Sequence, residues 1–466
     1  MNIDKIIDEY KEEIIKSTQY IIQIPSVEEK PEKGKPFGDK VDKALKYALN
    51  LCEGFGFKVE NFDGYAGHAE IGNGEETVGI LVHLDVVPEG DGWTYPPYGG
   101  EIYDGKIYGR GAIDDKGPAI SIIYAMKAIK ELEIPINKKI RVIFGTNEET
   151  RWEDMDYYFK KNKAPNIGFT PDADFPAIYG EMGILDFEII KNIENKEYEN
   201  INIEKLQGGN RPNMVPDNCE AVLKVKENYK ESLINKLNKY IKNSNSKFEL
   251  VDDKNVITIK SRGISAHGST PQSGKNAISQ LMVLLDQIVN EDNDICKFIK
   301  FYKEKIGINY NGENIGCGFE DDLSGKLVFN VGTIEYREDK VITTVNVRYP
   351  ITYNVDDVYN GIKKELESID AKIIEKGHMR PIYISKDHEL IQKLMKVYRD
   401  ETGDVETEPI TIGGGTYARA MDNAVAFGPL FPGQKELAHQ KDEYIEIEHL
   451  IKITKIYTKA LYELTR

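Results

Sequence analysis

Cysteine is scarce in this chain: Cys52, Cys219, Cys296 and Cys317 stand far apart and form no C-x-x-C pair. That spacing argues against a disulfide framework and against a thiolate metal cluster. Basic residues are in the minority, with 61 Lys and Arg against 78 Asp and Glu, for a net charge of −17. Nucleic acid and anionic membrane are therefore not expected as partners, because phosphate binding needs clustered cations. No apolar run reaches the length of a membrane span. The opening "MNIDKIIDEYKEEIIKSTQYII" lacks the basic start and continuous apolar stretch of a secretory signal, so a cytoplasmic location is expected. Histidine is also sparse, with seven in 466 residues, and a lone histidine is more often structural than a ligand.

What is present is an ordinary soluble composition, 40% hydrophobic and 30% charged, in a chain long enough for two or more packed domains. The first part alternates elements. Helical spacing predicts helices at about 3 to 22 and 38 to 53, the second ended by Gly54, and another within "KGPAISIIYAMKAIKELEI". Strands are expected at "TVGILVH", "KKIRVIF" and "NIGFTP". This alternation predicts an α/β layer with a mixed, largely parallel sheet, flanked by helices, whose ligand sites lie beyond the strands' carboxyl ends. From 183 to 378 the texture changes to paired strands followed by a helix, repeated, which predicts an inserted α+β domain. Residues 1–182 and 379–466 would then form one domain around the insertion.

Acidic residues collect where the strands of the first part end. "LVHLDVV" sets His83 and Asp85 on the same side of extended backbone. "YGRGAIDDKGP" carries Asp114 and Asp115 ahead of a helix, where either would also serve as a cap. "GTNEET" places Glu148 and Glu149 side by side as the chain leaves a strand, and "FTPDADFP" adds Asp172. Four such ends with one histidine are hard to explain as unrelated surface loops. Converging carboxylates raise one another's pKa unless cations neutralise them, and imidazole mixed with carboxylate shifts the expected metal towards zinc, with manganese and cobalt as alternates. "ELAHQKDE" offers His439 as a second imidazole.

Taken in order, "HLDVV", "YGRGAIDDKGP", "GTNEET", "TPDADFP", "SAHGSTP" and "ELAHQKDE" resemble the M20 family of dinuclear zinc peptidases, most closely its PepV-like dipeptidases. The resemblance spans nearly the whole chain, including the insertion and "IGGGTYAR". It implies a lid domain of two ferredoxin-like halves and a pair of divalent metal ions. Asp114 would bridge the ions, with His83 and Asp172 on one and Glu149 and His439 on the other. The peptide bond after Asp114 is often cis in the family. Glu148 is left as the general base for water, and Asp85 as the carboxylate that orients His83. His267 matches the lid histidine that stabilises the oxyanion; Asn213 and Arg348 match residues that contact a bound dipeptide. Gly414, Gly415 and Thr416 would offer groups to the substrate carboxylate. The implied reaction is hydrolysis of unblocked dipeptides; the alternative within the family is an amidohydrolase acting on N-acyl amino acids or succinyl-diaminopimelate. The long insertion implies a monomer, because in PepV-like members its extra half supplies contacts that a partner subunit gives elsewhere.

Overall fold

Seven successive buried residues, Thr77–His83, form the central strand of the first part of the chain in the computed structural model, which describes residues 3–337 and 339–466. A continuous Val, Ile and Leu run suits a parallel strand covered on both faces. This strand pairs in parallel with Lys139–Gly145 and with Ile167–Thr170, which in turn pairs in parallel with Ala424–Ala426. Ala66–Ile71 and then Lys58–Phe62 extend the sheet antiparallel beyond Lys139–Gly145. The sheet is therefore mixed and largely parallel, as the alternation of elements predicts. Helices Lys116–Glu131 and Ile447–Thr465 pack on each other and on the two central strands. Parallel register places His83 beside Gly145, so the carboxyl ends of these strands finish level.

Two element ends differ from the sequence reading. The first helix divides into Ile3–Glu9 and Lys11–Ile22, although the Tyr10 amide still bonds back to the Ile6 carbonyl at 3.1 Å. Gly54 is the last residue of helix Asp39–Gly54 rather than its stop; Gly56, at φ +71°, makes the left-handed reversal.

The chain forms two compact units. The first comprises the chain up to Tyr179 with Ile384–Ile410 and Gly415–Arg466; the second comprises Gly180–Tyr383 and Thr411–Gly414. Sequence texture set its boundaries at 182/183 and 378/379 and carried no sign of the short return at Thr411–Gly414.

The second unit holds an eight-stranded antiparallel sheet. Its strands run in the order Lys247–Asp253, Val256–Arg262, Asn218–Val225, Ile201–Gly208, Val328–Arg337, Lys340–Tyr349, Gly183–Asn192, Ala371–Met379. Burial alternates residue by residue along Gly183–Asn192, as it does when one face meets a core and the other does not. The last four strands in that order, with helices Asp294–Lys305 and Val355–Leu366, follow a ferredoxin-like path. The first four repeat the same spatial order, but their outer strand Ile201–Gly208 comes first in sequence instead of last. Among the described residues, the sheet halves pair in register at Gln207 with Glu335 and Gly208 with Ile334, and Asn330 adds side-chain bonds to the Pro212 and Met214 carbonyls. Leu281, Leu285, Phe298 and Tyr302 from the helices and Leu223, Ile259 and Val345 from the strands belong to one buried apolar core. No helix among the described residues is long and apolar enough to cross a membrane.

Candidate active site

The site begins at His83, the last residue of the central strand. Its Nε2 lies 2.9 Å from Asp114 Oδ1 and 3.8 Å from Asp172 Oδ2. The other Asp114 oxygen, Oδ2, is 3.1 Å from His439 Nε2, which is also 3.0 Å from the Glu149 carboxylate. One carboxylate thus faces two imidazoles, one oxygen to each. Ligand atoms of His83, Asp114 and Glu149 lie within 4.8 Å of one another, as do those of His83, Glu148 and Asp172. The Asp114–Asp115 peptide bond is cis.

Beyond Gly145 the chain leaves the sheet through four amides that two buried carboxylates take up. Thr146 and Asn147 donate to Asp154 Oδ2 at 2.6 and 3.0 Å; Glu148 and Glu149 donate to Asp85 Oδ1 and Oδ2 at 3.2 and 3.1 Å. The Trp152 indole closes the turn by donating to the Glu148 carbonyl at 2.8 Å. Asp85 meets His83 through its main chain as well as through the carboxylate expected to orient it. His83 Nδ1 lies 3.0 Å from the Asp85 main-chain oxygen and 3.5 Å from its carboxylate. A carbonyl partner accepts the Nδ1 proton and turns Nε2 towards the acids. The Asp85 carboxylate also holds the Glu148–Glu149 turn.

Charge in this cluster is unbalanced. Burial pushes Asp172 up to about 7, with Asp114 adding to the shift, and burial with the Asp172 charge carries Glu148 well above the ordinary carboxylate range. Glu149 is raised by burial and by Asp114, and Asp115 by burial and Asp172. Burial also works against Asp114, but its bonds to His439 and His83 outweigh it and hold this carboxylate low. The imidazoles respond in kind: burial would lower His439, yet Asp114 and Glu149 push it up to about 11, and Asp114, Asp172 and Asp85 likewise raise His83 against its burial. Asp115 Oδ1 is buried with no hydrogen-bond partner. Two imidazoles and an excess of converging carboxylates form a donor set suited to divalent cations, which would supply the missing positive charge.

A buried ion pair ties two of these segments together. Arg110 Nη1 donates to Glu443 at 2.7 Å and to the Gln440 carbonyl at 3.1 Å, next to His439. The other Glu443 oxygen accepts the amides of Ile113 and Asp114 at 3.0 and 3.4 Å. Sequence reasoning missed this pairing, although Arg110 and Glu443 both lie inside the quoted motifs. It also missed Asp154, whose signal was its place on the buried stripe of Asp154, Met155 and Tyr158 in helix Glu153–Lys161.

The remaining predicted residues divide between the units. In the second, Arg348 is buried; its Nε donates to Asn346 Oδ1 at 3.1 Å and its Nη1 to the Gly413 carbonyl at 3.0 Å, while Asn346 is anchored on Asp186 at 2.7 Å. His267 and Asn213 lie on adjoining loops, where the Gly268 amide donates to the Asn213 carbonyl at 2.7 Å. His267 Nδ1 lies 2.6 Å from Ser269 Oγ and 3.3 Å from the Ser269 amide nitrogen. Gly414 ends the second unit's return segment and Gly415 resumes the first. Thr416, in the first unit, is buried and accepts the Ala418 amide at 3.2 Å, capping a short 3-10 turn. The histidines without an assigned role have local partners: His68 with Tyr158, His378 with Tyr349, His388 with the Leu390 amide and His449 with the Pro429 carbonyl.

Residues 79–463 match the sequence profile of Peptidase family M20/M25/M40. The chain belongs to this family. As an M20 peptidase it is a hydrolase, and the family's use of divalent metal agrees with the acid-rich cluster. This M20 chain is 39% identical over 470 residues to "Putative dipeptidase YtjP" of Bacillus subtilis (strain 168), covering 100% of both chains. It is 37% identical over 466 residues to "Putative dipeptidase SSP1012" of Staphylococcus saprophyticus, covering 99% of this chain and 98% of the other. Among solved structures it is similar to human carnosine dipeptidase 1, with a TM-score of 0.60 at 18% identity over 100% of this chain and 98% of that one. Dug1p, a di-peptidase of Saccharomyces cerevisiae, gives a TM-score of 0.60 at 15% identity over the same shares. At these identities the two structural likenesses are likenesses of fold.

Proposed function

We propose that this M20 peptidase is a dipeptidase that hydrolyses unblocked dipeptides, with two divalent ions at the strand ends and Glu148 as general base. The observation that carries the reading is Asp114, with one oxygen 2.9 Å from His83 and the other 3.1 Å from His439. Dipeptidase names on full-length relatives support the substrate class. Asp114 would serve both ions; His83 and Asp172 would complete one set of ligands, and Glu149 and His439 the other. Zinc suits the mixture of imidazole and carboxylate best, with manganese and cobalt as alternates. When bound, such ions polarise the peptide carbonyl and make water more acidic.

Glu148 takes a proton from the attacking water as the new C–O bond forms, then delivers it to the amine nitrogen as the C–N bond breaks. Its place on the turn beside Glu149, with its amide held by Asp85, supports this role. His267 donates to the oxyanion. Arg348 pairs with the peptide's terminal carboxylate through its planar fork, and Asn213, Gly414, Gly415 and Thr416 complete the substrate contacts. The working form is a monomer.

The test is release of free amino acids from a panel of free and N-blocked substrates, with zinc, manganese or cobalt added. Preferential cleavage of free dipeptides is expected. No hydrolysis under any metal would sink the reading, and preference for blocked substrates would replace it with an N-acyl amino acid hydrolase.

A further inference from the structure

Behind the turn that carries Glu148, two buried side chains meet that the proposed reaction does not use. Asp154 is fully buried in the first turn of helix Glu153–Lys161. Its Oδ2 accepts the amides of Thr146 and Asn147 at 2.6 and 3.0 Å, and its Oδ1 accepts the Met155 amide at 2.7 Å. The fourth donor is the hydroxyl of Tyr417, which comes from 263 positions away in sequence.

Tyr417 is equally buried, and its place is made for it. A Cβ on Gly145 would fall 2.4 Å from its ring, so the ring fills the space this glycine leaves at the end of its strand. The ring stands edge-on to His83, with centroids 6.3 Å apart at 89°, and packs on Trp152 at 5.2 Å and 67°. Trp152 in turn donates to the Glu148 carbonyl. Tyr417 therefore reaches the turn twice, through Trp152 by packing and through Asp154 by its hydroxyl. It also directly follows Thr416 in the chain.

We propose that Asp154 and Tyr417 are positioning residues for Glu148, their hydroxyl-to-carboxylate bond fixing the turn at 146–149 so that the Glu148 carboxyl meets the attacking water in a productive orientation. This inference rests on Glu148 being the general base. A group that positions a base changes the rate of the chemical step more than the binding of substrate. The four donors on Asp154 hold its carboxylate from both the turn and the Tyr417 segment, so removing the hydroxyl frees the turn on one side without unmaking it.

Tyr417→Phe keeps the ring in the Gly145 gap and removes only the hydroxyl. With a free dipeptide as substrate, it should lower kcat by about 10- to 100-fold, with KM within about threefold and bound metal as in the parent. Asp154→Asn should act in the same direction, and the double variant should fall little further than the worse single one, because both remove one interaction. The decisive arm places Tyr417→Phe in a Glu148→Gln background, where residual kcat should change by less than about twofold, since the hydroxyl acts through Glu148. An equal fall in that background, or a lowered Tm with kcat intact, would overturn the proposal. Wild-type turnover by Glu148→Gln alone would instead bring down the general-base reading, whatever Tyr417→Phe does. Should Asp154→Asn fail to fold, Tyr417→Phe carries the test alone.

Discussion

Among the described residues the first unit fully buries five carboxylates, Asp42, Asp85, Asp115, Asp154 and Glu443, whereas the second buries one, Glu181. The second unit's other buried polar side chains are mostly neutral: Ser261, Ser279, Gln280, Asn293, Asn330, Thr343 and Asn346, with Lys191 and Arg348 as its cations. Each unit packs an apolar core between helices and a sheet, so core formation does not account for the difference. Burying charge is costly unless it is paired, and the first unit accepts that cost at the ends of its parallel strands. Four of its five buried acids either hold the backbone that presents Asp114, Glu148 and Glu149 or lie beside His83. Buried acid there supports a site, whereas buried apolar surface in the second unit supports a shape.

That contrast can be broken by substitution. The largest effect is expected at Asp114, because it faces both imidazoles. Asp114→Asn should reduce dipeptide turnover to background and lower the bound divalent metal measured by elemental analysis; a variant with full metal and full turnover would remove Asp114 from the centre of the account. The next is the charge in the second unit. Arg348→Ala should lower kcat/KM for free dipeptides by about 10- to 100-fold, the range for a charge-assisted hydrogen bond, while bound metal stays unchanged. An unchanged kcat/KM would leave Arg348 a structural residue held by Asn346.

Apolar packing should behave differently. Leu281 is fully buried in helix Ala277–Ile288, and Leu281→Ala should cost about 2–5 kcal/mol of stability in denaturant unfolding. Metal content should not change, and loss of metal without loss of stability would contradict the division between the units. The smallest effect concerns His68, which the active site does not use. Burial and the nearby Arg141 hold it down to about 4, below the ordinary value near 6.5. Its contribution is complete above the unfolded value and is lost as pH falls from 6.5 towards 4, because the unfolded chain takes up the proton first. Over that window the metal-free protein should lose up to about 3 kcal/mol more than His68→Phe. Parallel pH curves for the two would show that His68 contributes nothing to acid sensitivity.

The sequence revealed most where structure is local. Thr77–His83 reads as a covered parallel strand because all its residues are apolar or small until the histidine, and the acids follow within a few residues of each strand end. Paired strands followed by a helix likewise predict the α+β texture of the second unit. Long-range pairings left no such trace. Tyr417 finds Asp154 across 263 positions, and Glu443 finds Arg110 across 333. The seam between the sheet's halves pairs Gln207 with Glu335 and Gly208 with Ile334, far apart in sequence. The H-x-D spacing was informative about proximity but could not distinguish the Asp85 main-chain oxygen from its carboxylate. The fold adds that the carbonyl lies nearer His83 Nδ1, at 3.0 Å against 3.5 Å, and that the carboxylate also takes up the turn's amides.

The adjacency of Glu148 and Glu149 carries the central claim, that one turn delivers a proton carrier and a metal ligand together. The direct measurement is dipeptide turnover and bound metal in Glu148→Gln and Glu149→Gln, each compared with the parent protein. The account predicts that Glu148→Gln keeps both divalent ions and loses about 10²- to 10⁴-fold in kcat, whereas Glu149→Gln binds less metal. Equal metal content and equal turnover in the two variants would contradict it.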